Sequence, residues 1–227
     1  MKLYLIDDYS DAVVVKRRYE SAHRQDQARR TRLAVLDAAR TLFVSAGYGA
    51  TTLAAVAREA GVAVQTVYKI FGNKKTLLSD LVDVTIAGDD EPTELARRQF
   101  VDDIRALGDA RAKLARYATH LASTHAREAE IMLAVESAAA VDRDAADILR
   151  KNREERRAGM TMFAADLAET GELRPDYSRD MIVDVLWLAM DVRNFEWLVR
   201  QRGWSPAQFE RWYVESVAAA ILVEGGK

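Results

Sequence analysis

The sequence has no cysteine, only three histidines and only three prolines among its 227 residues, and each shortage removes a class of explanation. Without thiols there are no disulfides, zinc fingers, iron–sulfur clusters or cysteine nucleophiles, and the composition fits a reducing cytoplasm. The histidines leave little for metal or acid–base chemistry. His120 and His125 fall on different helix faces, and His125 with Glu128 makes a two-ligand fragment where metals take three or four. No glycine-rich phosphate loop or nucleophile elbow occurs either. Apolar runs such as 217–223 are too short to span a bilayer, and the opening Met1-Lys2-Leu3-Tyr4-Leu5-Ile6 runs straight into Asp7 and Asp8 instead of building a leader. These absences predict a soluble cytoplasmic protein that is not an enzyme, holds no cofactor or metal and has no membrane partner.

The scarcity of proline also bears on fold class. Pro92, Pro175 and Pro206 each sit at a joint between periodic segments, and no stretch shows clean two-residue alternation, so the chain is expected to be all-α. Leu33, Leu36, Ala39, Leu42, Phe43 and Ala46 recur at three- and four-residue steps and stop at Gly47, which marks a first helix beginning near residue 26. Thr51 and Thr52 offer an N-cap for a short helix over 53–60, Gly61 closes it, and a second short helix follows over 63–70. Further helices are expected over 74–87, 92–107, 109–125, 127–139, 142–170, 178–202 and 205–223. Residues 1–25 keep no sustained period and read as a flexible N-terminal arm or a frayed helix extension. The resulting division is an arm over 1–25, a helix-turn-helix domain over 26–75, and a helical body over 76–227.

What is abundant is positive charge in one place. Residues 16–75 carry twelve Lys and Arg against four Asp and Glu, a surplus of +8, which leaves −10 for the rest of a chain whose total is −2. A basic head on an acidic body is the distribution expected of a polyanion-binding module joined to a domain with another task. In the head, Leu53, Val56, Ala60, Val62, Val67 and Ile70 can fill a small core against the first helix. Ala57 keeps the crossing of the two short helices close, and Gly61 permits a positive φ in the turn. Gln65, Thr66, Tyr68 and Lys69 are left outside, where a helix entering the major groove meets base edges and phosphates.

Residues 27–85 resemble the tetracycline-repressor (TetR) family of transcriptional regulators. The resemblance is carried by Ala46-Gly47-Tyr48, Thr51-Thr52, Val56-Ala57, Ala60-Gly61-Val62, Thr66-Val67-Tyr68, Ile70-Phe71, and Lys74 with Leu77-Leu78. It implies that the second short helix reads DNA, with Thr51, Thr52, Thr66, Tyr68, Lys69 and Lys74 on the phosphate backbone and Val64 and Gln65 nearest the base edges. It also implies repression as the default output. Two positions depart from the family pattern: Lys69 stands where a histidine is common, and Ala63 where a serine caps the reading helix. The arginines Arg24, Arg29, Arg30 and Arg32 admit two readings, a reach to phosphate or minor groove and a solubilising tail.

In the body, residues 182–190 are apolar nearly all round and need cover on several sides. The last helix carries Phe209, Trp212, Tyr213, Val217, Ala220 and Ile221 as a stripe. These features predict a homodimer paired through the two C-terminal helices, which would set two reading helices on a palindromic double-stranded operator. A pocket for an unidentified small apolar effector is expected among Phe100, Ile104, Tyr117, His120, Met132, Met160, Phe163, Trp187 and Met190, with Tyr117, His120 and Trp187 as polar handles. The rival readings are an architectural DNA-binding protein and a metal sensor without organic effector; an acidic body of two-thirds of the chain argues against the first.

Overall fold

The computed structural model describes residues 8–90 and 99–223, with side chains from residue 25 onward. Residues 1–7, most of the arm's start, and the beginning of the helix expected over 92–107 lie outside the described residues. Among the described residues all regular elements are helical, and the β-type pairing is a single isolated bridge between Leu173 and Leu222.

Helix α1 spans Asp8–Ser45, α2 spans Leu53–Glu59 and α3 spans Val64–Phe71. The helix expected to begin near residue 26 therefore starts eighteen residues earlier, because 8–25 contains neither glycine nor proline to stop it. Val35, Leu36, Ala39 and Phe43 form the buried face of α1, against which α2 sets Leu53, Val56 and Ala57 and α3 sets Val67 and Phe71. Thr52 caps α2 by accepting a hydrogen bond from the backbone N–H of Ala55 at 3.1 Å. Gly61 takes φ +67° in the turn between α2 and α3, a conformation that costs an L side chain strain and glycine none. Helix α4, Lys74–Ala87, is capped by Asn73 and buries Leu77, Leu78, Leu81 and Val82.

The body begins with α5, Gln99–Arg105, and continues with α6, Ala110–Ala139, and α7, Arg143–Ala168. The two helices expected over 109–125 and 127–139 are one continuous α6, since Ala126 is a good helix former and no glycine or proline interrupts the span. The opposite correction applies to the single helix expected over 178–202. It is α8, Arg179–Ala189, then α9, Val192–Phe195, then a π-helical turn, Glu196–Gln201. The break falls where Asp191 accepts a hydrogen bond from the Arg193 N–H at 2.9 Å and starts a new helix. Helix α10, Pro206–Ile221, opens with a reciprocal capping box between Ser205 and Gln208 and with Pro206 in its first turn. Helix α6 is the axis of the molecule: α7, α10, α4 and α9 all pack on it. One contiguous apolar core runs from Val35 in α1 through Leu78 and Leu114 to Phe209 and Ile221 in α10.

Candidate functional site

On the head, α3 offers one wet face. Gln65, Tyr68 and Lys69 are exposed, with Tyr68 at 53 % of its full accessibility, while Val64 and Thr66 are half-buried at the edge of that face. Ala63 precedes α3 without any side-chain hydrogen bond to its first turn, so the helix N-terminus is left open on the same side as Gln65. Thr52 is exposed beside it at the start of α2.

Two of the expected phosphate contacts are turned inward. Thr51 is buried and its hydroxyl lies within hydrogen-bond distance of the carbonyls of Gly47 and Leu42, at 2.9 and 3.2 Å. Lys74 donates from Nζ to the carbonyls of Tyr48 and Thr51, at 2.9 and 3.2 Å, and lies 4.1 Å from the centre of the Tyr48 ring. Both side chains tie down the loop between α1 and α2, which was invisible in the sequence because that loop's path is set by tertiary packing. Arg32 is likewise spent internally. Its guanidinium meets Asp80 at 2.9 Å and Asp90 at 3.2 Å and lies over Phe71, which clamps α1 to α4 and removes it from the arginines expected to extend along DNA.

The head is fastened to the body by polar ties. Lys75 at the start of α4 pairs with Asp147 and Asp144 of α7, at 2.9 and 3.2 Å, and Lys151 reaches Asp83 at 3.8 Å. Arg127 of α6 donates to the carbonyls of Thr85 and Ile86 in the last turn of α4, both at 3.4 Å, where a cation complements the helix dipole. Its own carbonyl accepts from Arg40 of α1. Gly88, at φ +84°, ends α4 so close to Arg127 that a Cβ there would stand 3.1 Å from the guanidinium.

The body holds a partly enclosed cavity of about 370 Å³ between α5, α6 and α7, closed at one end by Ile86 of α4 and at another by Met190. Seven of the expected pocket residues line it: Phe100, Ile104, Tyr117, His120, Met160, Phe163 and Met190. The other two do not. Met132 is buried in the core away from it, and Trp187 lines a wider groove open to solvent between α7 and α8, with Leu149, Leu188 and Asp184. That groove is larger, but enclosure and an apolar lining rather than size are what a small ligand needs. Sequence reasoning missed Asn152 and Arg156 of α7, which also line the cavity. The signal was there, because Asn152 falls in the same three- and four-residue rhythm as the buried Ala145, Ile148, Leu149, Met160 and Phe163.

Most polar groups around the cavity are paired. His120 stacks on Phe100 at 3.7 Å between ring centres, and burial, with the charges of Arg127 and Arg116, pushes its pKa down to about 4, so the imidazole is neutral near pH 7. Tyr117, whose pKa burial pushes up, donates from its hydroxyl to the Met190 sulfur at 3.7 Å. His125 lies 2.7 Å from Glu128 through Nδ1 and 3.1 Å from the Met190 carbonyl through Nε2. Arg156 donates to that same carbonyl at 3.1 Å, so the C-terminal end of α8 is held from both α6 and α7. Lys113 forms a buried ion pair at 2.8 Å with Asp166, which lines the cavity. The exception is Asn152: it is 6 % exposed, and its Oδ1 has no hydrogen-bond partner. Among the described residues no group of three or more His, Asp or Glu is placed to hold a metal ion, and none of the described helices is long and apolar enough to cross a membrane.

Comparison with known proteins agrees with this geometry. Residues 35–81 match the family described as bacterial regulatory proteins, tetR family, and no curated protein matches the chain. Solved structures with the same fold include a transcriptional regulator, FadR, from Bacillus subtilis in complex with stearoyl-CoA, with a TM-score of 0.66 and 16 % identity over 83 % of this chain and 98 % of that one. A Saccharomonospora viridis protein in complex with choline has a TM-score of 0.62 and 20 % identity over 85 % and 98 %. The fatty acid degradation regulator from Bacillus halodurans has a TM-score of 0.64 and 15 % identity over 82 % and 94 %. Residues 35–81 are therefore similar to the tetR-family regulatory proteins, and the described residues share the all-α fold of these solved structures.

Proposed function

We propose that this chain, whose head is a tetR-family DNA-binding domain, is a homodimeric repressor released from a palindromic operator when a small effector fills the cavity of the body. The observation that carries the reading is the wet face of α3: Gln65, Tyr68 and Lys69 stand exposed on a short helix whose back, Val67 and Phe71, is locked into the core. A rigid helix with polar side chains outward and an open N-terminus is what a major groove accepts. Thr52, Thr66, Tyr68 and Lys69 then contact phosphate, and Gln65 with Val64 faces base edges.

A single reading helix carries little sequence information, and pairing is supported by α8. Met181 and Leu188 are exposed on it at 47 % and 67 %, seven residues apart and so on one face, with half-buried Val185 between. Joining such faces from two copies, together with α10, would bury them and space two copies of α3 for successive grooves. Effector binding then acts by linkage: a ligand that fits one body conformation better than the other lowers affinity for DNA by its differential affinity for the two. The route is short, since Ile86 and Met190 in the cavity wall belong to α4, which carries the head, and to the end of α8.

The reading is tested by selecting bound duplexes from a random pool at moderate salt and by sedimentation of the free protein. A palindromic consensus and a dimer are expected. A monomer without preference for any duplex overturns the reading.

A further inference from the structure

Resting on the reading of the cavity as an effector site, its polar groups define what kind of effector it takes. Asn152 is on the buried stripe of α7, and its Oδ1 is the acceptor in the cavity wall left without a partner. A buried acceptor in that state costs free energy in the empty protein, and a ligand donor removes that cost. The cations of the lining each have a partner. Arg156 is held by the Met190 carbonyl and lies over Trp187, Arg105 lies 3.6 Å from Asp102, and Lys113 behind the wall is tied to Asp166. His120, stacked on Phe100, is uncharged near neutral pH. Acids are present in the wall as Glu128, Glu155 and Asp166, partnered by His125, Lys151 and Lys113. An anionic head group entering here would meet carboxylates and cations that already have partners, while a cation would compete with Lys113 for Asp166 and with Lys151 for Glu155. At about 370 Å³ the space is near the small end of the range of roughly 300–1,000 Å³ in which drug-sized ligands are held.

We propose that the cavity recognises a compact, uncharged amphipathic molecule whose apolar body packs on Phe100, Ile104, Met160 and Phe163 and whose single hydroxyl or N–H donates to Asn152 Oδ1. Carboxylates of the same body are rejected. The effector class is thus a neutral alcohol, phenol or amide rather than a fatty acid.

The test uses the full-length protein and N-phenyl-1-naphthylamine, a neutral apolar amine whose fluorescence rises in apolar sites. Decan-1-ol, 1-methoxynonane, decanoate and decylammonium compete against it. Decan-1-ol is expected to displace the probe at roughly tenfold lower concentration than the ether, which has no donor, and than either ion. In Asn152→Leu the alcohol should lose its advantage over the ether while the ether's own affinity is kept. Decanoate or decylammonium competing as well as the alcohol overturns the proposal, as does an unchanged alcohol-to-ether ratio in Asn152→Leu. Phe163→Trp, which fills the cavity, separates the two levels: if the probe binds wild type and this variant alike, or binds neither, the cavity reading itself falls.

Discussion

Replacing Lys113 by Met removes one member of the most deeply buried pair of a lysine or arginine with a carboxylate among the described residues and keeps most of its volume. The Lys113 side chain is 3 % exposed and Asp166 14 %, with 2.8 Å between Nζ and Oδ2. The pair itself need not add stability, because desolvation of two charges offsets their attraction, but a lone buried carboxylate has no such offset. Lys113→Met also forfeits the donation to the Arg105 carbonyl at 3.4 Å. Breaking one side of such a pair costs about 3–5 kcal/mol. For a chain of this size each kcal/mol moves Tm by roughly 2–4 °C, so the variant should melt about 6–20 °C lower. The double variant Lys113→Met/Asp166→Leu leaves no unpaired charge and should recover most of that loss. Thermal unfolding followed by circular dichroism reads both, with guanidinium titration as the equilibrium check. A Lys113→Met variant within about 1 kcal/mol of wild type, or a double variant less stable than the single, would refute the account of the pair as mutually dependent.

Asn152→Leu removes an unpartnered acceptor from a site already lined by apolar groups and should raise stability by about 1 kcal/mol; a loss of that size in urea titration would mean Oδ1 is satisfied in solution. Tyr68→Ala should weaken binding to every duplex and lower the salt slope, whereas Gln65→Ala should relax preference at one or two base pairs by about 1–3 kcal/mol, and equal losses across all sequences for Gln65 contradict its place at base edges. His120 has a pKa of about 4 in the folded chain against 6.5 when unfolded, so the unfolded state binds the extra proton and stability falls as pH drops from about 6.5 towards 4. His120→Gln should flatten that part of the profile, and identical pH slopes for the two proteins would show the ring is not held neutral.

How much of this could be read without coordinates differs between head and body. In the head, local chemistry is decisive: a small residue at the helix crossing, Gly61 in the turn and Thr52 at the cap each act within a few residues, and so their pattern is visible in the chain. Thr51 and Thr52 look alike in sequence, while only the path from Gly47 to Thr52 decides which hydroxyl faces water. In the body, periodicity marks which residues are inside but not which of them meet around a void. Met132 and Trp187 have the right character and the wrong neighbours. Asn152 was passed over because a polar residue amid charges reads as solvated, although its position in the rhythm of α7 marks it as buried. Likewise the break at Met190, opened locally by the Asp191 cap, leaves a carbonyl held by His125 and Arg156, which come from helices far away in sequence.

The continuity of the interior from α1 to α10 has a practical corollary for anyone wishing to separate the two halves of the molecule. Cutting after residue 75 would strip the head of Leu77, Leu78 and Leu81, which close its underside, and would bare their counterparts on α6. Among the described residues the two halves share packed side chains along α1, α4 and α6. Under the proposed function, a deformation begun at the cavity would be passed on by side chains already in contact, with α4 turning about its tie to Arg127.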